Sequence, residues 1–472
     1  MAGWIDITSG RGVSVRFWDG AQWSVVPGFD ALASATASAP VSVDPPKGPL
    51  KNIVAGGAFM NSAVNNTSQT GSMVAARMKV LVDAVRPVAE FDVLMSTNVA
   101  EVVELQAAVS VDNGEPEPVT FNGGESTVRL RRPGASGGIV HAKTDPLPIV
   151  AKAGQTLNFW GFSRAPEGGT AQGDSVGYTP TVDAWYSQGA SFAEAWNATH
   201  QGSTDMGLGV YPAARPARVV APSDQPSWLL SGDSIMHWSR PHAQRWAIKA
   251  GVAWAKNATG GRNYIHATQD YDTLYSPSAK SATMCFEELG INGANFKLGL
   301  EHWRRLRRDR IEGIVKPTLT PQTQSRDGWR TVEGQTAVSD VEGFLRWDAW
   351  LLDGAPMKRD WSTVVDTGTQ GADVVRCAVV DSSGKLIRRG DLGHVFGTGG
   401  VVDWNPVVSC AGMNPPGSRR VWRTDLGLAS ADYGDGLHPG NGVHDKLAEY
   451  LVKAMPVVLG EEAHTGRIDV TA

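Results

Sequence analysis

The chain has 472 residues, 42% hydrophobic and 19% charged, which gives room for two or three globular domains and excludes a disordered chain. A formal net charge of -5 gives no reason to expect a nucleic-acid partner. There is no run of about 18 apolar residues to span a membrane. The start, Met1-Ala2-Gly3-Trp4-Ile5-Asp6, lacks the basic and apolar regions of a signal peptide.

Residues 1–50 read as a small β unit followed by a linker. Val13, Val15 and Phe17 alternate with polar residues, and Asp19-Gly20 supplies a turn before Val25 and Val26. This Val-x-Phe-Trp-Asp-Gly-x-x-Trp pattern resembles short modules at the start of phage minor tail proteins. Residues 31–50 are rich in Ala, Ser and Pro.

Residues 51–221 carry short alternating runs punctuated by Gly, Asn and Pro. Val74 to Leu81, Phe91 to Met95, Val102 to Val109, Val128 to Arg131 and Leu157 to Trp160 are the clearest. The pattern predicts a β-sandwich or jelly roll, with a short helix at 191–197 as a mixed alternative. Gly134-Ala135-Ser136-Gly137-Gly138 has the spacing of a nucleophile elbow, but no helical pattern follows it, so it reads as a loop.

From residue 222 the period changes. Apolar runs at 228–230, 252–255, 282–289, 314–319 and 374–380 predict five strands. Helical spacing at 241–250, 296–310, 341–352 and 443–452 predicts the helices between and after them. Alternation of this kind makes a parallel sheet covered on both faces, with sites beyond the carboxyl ends of its strands. The domain expectation is therefore 1–50, 51–221, 222–460 and a tail at 461–472. Arg304, Arg305, Arg307, Arg308 and Arg310 read as a solvated helix face. Seventeen Trp offer sugar-stacking surfaces, though any single one is better read as core.

The first strand of this half ends in Gly232-Asp233-Ser234. A serine needs a base to be a nucleophile, and Asp435-Gly436-Leu437-His438 supplies one with a carboxylate three positions before it. Asp432 is the fallback acid. Asn257-Ala258-Thr259-Gly260-Gly261 and Gly290-Ile291-Asn292-Gly293 follow the second and third strands. With the Ser234 N–H, the N–H of Gly261 (or Gly260) and the Asn292 amide could receive a developing oxyanion. His237, His242, His266 and His444 read as surface or loop residues. The three cysteines, Cys285, Cys377 and Cys410, have no metal or redox spacing; a Cys377–Cys410 bridge and three free thiols both fit, the second better.

In this order the four blocks Gly232-Asp233-Ser234, Gly261, Gly290-x-Asn292 and Asp435-x-x-His438 resemble the SGNH (Gly-Asp-Ser-Leu-like) hydrolase and acyl-esterase superfamily. Ile235 stands where that family usually has Leu, and Gly293 where it usually has Asp. The resemblance implies a three-layer, flavodoxin-like α/β domain behind a β-sandwich. It implies a Ser234-His438-Asp435 triad, an oxyanion hole of Ser234, Gly261 and Asn292, and no metal or cofactor. The expected activity is hydrolysis of acyl or acetyl esters on a bacterial polysaccharide or cell-wall glycolipid. The expected setting is a phage tail, with tail proteins as partners and a homo-oligomer as one arrangement. A non-catalytic tail adhesin that keeps the hydrolase fold is the rival, and a cytoplasmic or secreted bacterial esterase the third reading.

Overall fold

The computed structural model describes residues 4–9, 13–18, 23–25, 51–56, 71–95, 100–132, 138–166, 172–173, 184–188, 211–212, 214–237, 241–338, 341–410, 420–424 and 436–464. The chain divides into two compact units, one of residues 1–47 with 466–472 and one of residues 48–465. In the first, Trp4–Ser9, Val13–Trp18 and Trp23–Val25 form a three-stranded antiparallel sheet. Trp18 pairs with Trp23 across the expected turn.

The first half of the larger unit is two antiparallel sheets over one apolar core. The labels used are β1 (Ala55–Gly56), β2 (Gly71–Val80), β3 (Val88–Met95), β4 (Val102–Val111), β5 (Gly138–Lys143), β6 (Thr156–Arg164) and β7 (Ala214–Pro222). One sheet runs β4-β6-β2-β1, the other β5-β3-β7 and then Lys51–Ile53. Inward-pointing alternation places Met78, Leu105, Val109, Leu157 and Phe159 of the first sheet against Phe91, Val93 and Val219 of the second. Phe91 and Phe159 meet edge to face at 6.2 Å. Burying side chains of this size contributes about 1.5–3 kcal/mol each. The segments at 134–137 and 191–197 lie outside the described residues.

The second half is a parallel sheet, built from β8 (Ser227–Gly232), β9 (Ala253–Ala258), β10 (Met284–Glu287), β11 (Gly313–Pro317), β12 (Ala378–Val380) and β13 (Gly400–Val402). Their spatial order is β9-β8-β10-β11-β13-β12, every neighbour parallel. Alternation along each strand sorts the two faces. Leu229, Ala255, Cys285, Ile314 and Val401 face α3 (Tyr264–Gln269), α4 (Phe296–Arg308) and α5 (Val341–Leu352). Trp228, Leu230, Trp254, Phe286 and Val315 face α2 (His242–Ala250) and α6 (Asn441–Leu459). This is a doubly wound arrangement with helices on both faces.

Three expectations are corrected here. The segment 374–380 is not one strand: Val374–Val375 pairs with Met357–Lys358, and only β12 joins the main sheet. The strand beside β11 is β13, three residues of a Gly-rich stretch too short to show a period. The arginine run of α4 is not simply solvated: Arg305 donates to Thr268 O (3.0 Å), Arg307 to Ile311 O (2.8 Å) and Arg310 to Lys280 O (3.5 Å), so three of the five tie down backbone carbonyls. All three cysteines are buried and free. Trp303, Trp347, Trp404 and Trp422 are fully buried.

The sandwich and the parallel sheet share hydrogen bonds. β1 pairs antiparallel with β2 and parallel with β9, Ala55 facing Val80 and Gly56 facing Trp254. One continuous sheet therefore crosses from the first half of the unit into the second.

Candidate active site

β8 is the strand next to which the site residues gather. It is buried from end to end and flanked by β9 and β10. After Gly232 the chain turns directly into α1, the single turn Ser234–His237. Asp233 makes that turn: its Oδ1 accepts the Ile235 N–H (3.0 Å) and its carbonyl accepts the His237 N–H (2.9 Å). The Asp233 side chain is wholly buried, and burial, with Glu288 beside it, pushes its carboxyl well above the usual carboxylate range. Asp233 is thus a cap turned inward, and Ser234 is left half-buried at the strand end. The helix expected behind Ser234 is only one turn long, which gives it little macrodipole of its own.

The second and third blocks meet across the neighbouring strand ends. After β9, residues 259–262 form a turn closed by Arg262 N–H donating to Thr259 O (3.2 Å). Gly260 and Gly261 are exposed there, and Gly261 has φ +70°, a conformation a side chain would disfavour. After β10, residues 290–293 form a second turn, Gly293 N–H to Gly290 O at 3.1 Å. The half-buried Asn292 reaches from it to the first turn, its Nδ2 donating to Arg262 O at 3.1 Å. One amide hydrogen is spent on holding Gly261's turn in place; an amide nitrogen carries a second.

A charged pair anchors the Asn292 loop from below. Glu287 and Lys316 are fully buried with N···O 3.1 Å. Tyr264 Oη (3.2 Å) and Trp303 Nε1 (3.3 Å) donate to Glu287 Oε2, and Leu289 N–H donates to Oε1 (3.1 Å). Lys316 Nζ donates to the carbonyls of Glu287 (3.2 Å) and Leu289. Every partner lies in the segment that leads to Asn292 or packs on it. A Lys and a Glu inside apolar strand runs were the sequence signal, and composition alone gave it no role.

His438 sits in the short segment that opens α6. Gly436 O accepts Thr323 N–H (3.0 Å) and the Trp422 indole N–H (2.8 Å). Thr323 follows β11, so this fixes the segment at the carboxyl ends of the strands. Gly436 has φ +69° and no room for a Cβ, which would run into Thr323 O and stand 2.7 Å from the Trp329 ring. Two residues on, His438 is half-buried. α6 then packs on α2 with the two first turns together: Arg245 donates to Asn441 O (3.1 Å) and pairs with Asp445 (2.7 Å). Ser234 opens the single turn α1 that precedes α2, and His438 lies just before α6. Asp435 and Asp432 lie outside the described residues.

The histidine expectations need correction. His266 is exposed as expected, but His237, His242 and His444 are buried. His242 and His444 touch each other 202 residues apart in sequence, a contact that no local pattern announces. A separate cleft of about 270 Å³ between α4 and α5, lined by Phe296, Arg346, Trp350 and Asp366, includes none of the four site residues.

No family model and no curated protein matches the chain. Among solved structures, it is similar to a carbohydrate esterase family 2 enzyme plus carbohydrate-binding domain from Corynascus thermopiles (Myceliophthora fergusii), at 12% identity and TM-score 0.28, over 85% of this chain and 99% of that one. A putative GDSL-like lipase from Parabacteroides merdae matches at 12% identity and TM-score 0.28, over 49% of this chain and 95% of that one. An acetylxylan esterase from Geobacillus stearothermophilus matches at 12% identity and TM-score 0.18, over 22% of this chain. The chain spans 65% of that enzyme's length. Likenesses this distant assign no family.

Proposed function

We propose that the chain is a serine hydrolase of acyl or acetyl esters carried on a bacterial surface glycan or glycolipid. The observation that supports the reading is the placement of the candidate residues after the carboxyl ends of neighbouring strands of one sheet and before a helix packed on it. Ser234 lies just after β8, Gly261 and Asn292 follow β9 and β10 with Asn292 bonded to Arg262 O, and His438 lies just before α6, which packs on α2.

In this reading Ser234 Oγ attacks the ester carbonyl carbon as its proton passes to the His438 imidazole. The oxyanion takes hydrogen bonds from the Ser234 and Gly261 N–H groups and from the second Asn292 amide hydrogen. The intermediate collapses, the C–O bond breaks, and His438 returns the proton to the leaving alcohol. Water then repeats the sequence on the acyl-enzyme and releases the carboxylic acid. Asp435 orients His438 and stabilises the imidazolium. The exposed Gly260-Gly261 turn suits an ester that projects from a polymer. The N-terminal module attaches the enzyme to a phage tail, a setting that detection in purified virions would test.

The test compares wild type with Ser234→Ala on p-nitrophenyl acetate and an acetylated oligosaccharide, with fluorophosphonate labelling of both. Activity and labelling are expected in the wild type only. Equal turnover by both proteins would sink the reading and leave a binding protein built on a hydrolase-like sheet.

A further inference from the structure

The catalytic scheme leaves unused a cluster of charged side chains on the outer face of the second sandwich sheet. Phe91 and Val93 of β3 point into the sandwich core, so Glu90 and Asp92, which alternate with them, point out. His141 of β5 is the cross-strand partner of Asp92, and Arg218 of β7 that of Glu90. The cluster meets the segment that follows α3, the π turn Tyr271–Tyr275 and the helical turn Ser276–Ala279.

Arg218 and Asp92 are each 1% exposed. Arg218 Nε donates to Glu90 Oε2 (2.8 Å), Nη2 to Asp92 Oδ1 (2.9 Å) and Nη1 across to Ser278 Oγ (2.8 Å). His141 spans the same junction. Its Nδ1 is 2.6 Å from Asp92 Oδ1, and its Nε2 is 2.7 Å from the carbonyl oxygen of Thr273. Next to Thr273, Leu274 O accepts the Asn257 side-chain amide of β9 (2.6 Å). The π turn is therefore bonded to the sandwich through His141 and to the strand that leads to Gly261 through Asn257.

The partners decide how many hydrogens the ring carries. A backbone carbonyl only accepts, so His141 Nε2 carries a hydrogen. Asp92 Oδ1 already accepts the Arg218 Nη2–H, and a guanidinium does not deprotonate; the oxygen is a carboxylate oxygen, and Nδ1 carries a hydrogen too. A ring with both hydrogens is an imidazolium. The charges then balance, Arg218 and His141 against Glu90 and Asp92, in a place where an unmatched charge is costly. Lys143 of β5 adds a cation 3.6 Å from Glu90. On the facing segment, Asp270 and Asp272 pair with Arg262 (3.5 Å) and Arg308 (3.6 Å). Burial works to lower the His141 imidazole and Arg218 opposes its charge, yet the bond and attraction to Asp92 hold it above its ordinary range.

We propose that His141 is a charged pin, an imidazolium at neutral pH, that fastens the sandwich to the segment behind α3, and that loss of its proton loosens this joint. A neutral ring has one N–H, so either Asp92 or the Thr273 carbonyl would then face a lone pair. The folded protein holds this proton more tightly than the unfolded chain, whose imidazole titrates near about 6.5. The pin's contribution is full below that value and is lost as pH rises through the raised folded value.

The test is urea unfolding of wild type and His141→Gln between about pH 6 and pH 9, with nitrogen NMR of the full chain labelled in histidine. Glutamine can donate one hydrogen bond but cannot titrate. The ratio of wild-type to Gln folding constants is expected to fall across this range, by tenfold for each unit by which folding raises the ring. A ratio that stays constant overturns the pin. In the spectrum, one of the ten histidines is expected to remain an imidazolium at pH 7, with both ring nitrogens protonated, and to be missing in His141→Gln. A neutral, single-tautomer His141 at that pH refutes the proposal. Should the Gln variant not fold, the wild-type spectrum decides alone, and no imidazolium among the ten at pH 7 overturns the pin. Neither measurement needs turnover, so both stand whatever Ser234→Ala shows.

Discussion

Gly436→Ala isolates the link between backbone geometry and the position of His438. An alanine at φ +69° costs about 1 kcal/mol. Its Cβ would overlap the Thr323 carbonyl oxygen and press on the Trp329 ring, so the segment must move by about 1 Å, against the close packing of protein interiors. That movement stretches both bonds to Gly436 O, from Thr323 N–H and from the Trp422 indole. Each is worth about 1 kcal/mol net, and orphaning the buried indole brings its loss to about 1–3 kcal/mol. Together the change costs about 3–5 kcal/mol locally, and His438 moves with the backbone. A shift of about 1 Å in a catalytic base costs on the order of a hundredfold in rate. Calorimetric Tm and kcat on p-nitrophenyl acetate would both fall. An alanine variant with wild-type Tm and kcat would show that this turn does not position His438.

Asn292→Ala should lower kcat by about 10²–10³ if its second amide hydrogen meets the oxyanion, with KM little changed; steady-state kinetics measures it, and a KM-only effect would argue against that role. Glu287→Ala removes the carboxylate paired with buried Lys316, which should cost about 3–5 kcal/mol by urea unfolding, with part recovered in the Glu287→Ala/Lys316→Met double variant. Burial among Tyr264, Tyr271 and Tyr275 holds the His302 imidazole down at about 3. The folded form then binds fewer protons than the unfolded chain, whose imidazole titrates near about 6.5. Its contribution to stability is full above that value and is lost as pH falls toward 3. His302→Phe should flatten the acid side of the stability curve, measured as unfolding free energy between pH 7 and pH 4; an unchanged slope would refute the assignment.

The parts of the site that read from sequence were those with local causes. The apolar run ending at Gly232 announced β8, and the helical spacing at 341–352 announced α5 at its observed bounds. The strand-end placement of Gly261 and Asn292 was legible because short apolar runs end just before them. What failed to read were properties that depend on distant partners. Residue type made His242 and His444 look solvent-facing, yet both are buried, stacked on each other, with Trp404 against His242. β13 escaped because three residues have no measurable period and their neighbours are glycines. Asp233 read only as part of the Gly232-Asp233-Ser234 block; its burial and its bond to Ile235 show it to be a cap.

The shared strand Ala55–Gly56 means that the α/β half meets another strand on its β9 side, at Trp254. A bare strand edge invites pairing with another chain. Here β1 occupies that edge with backbone hydrogen bonds, and Gly56 lets the Trp254 indole come within 2.8 Å of where a Cβ would stand. Cutting the chain at the boundary near residue 222 would strip this cover and leave β9 open to self-association. The sandwich thus covers the Trp254 end of an edge that would otherwise stand open.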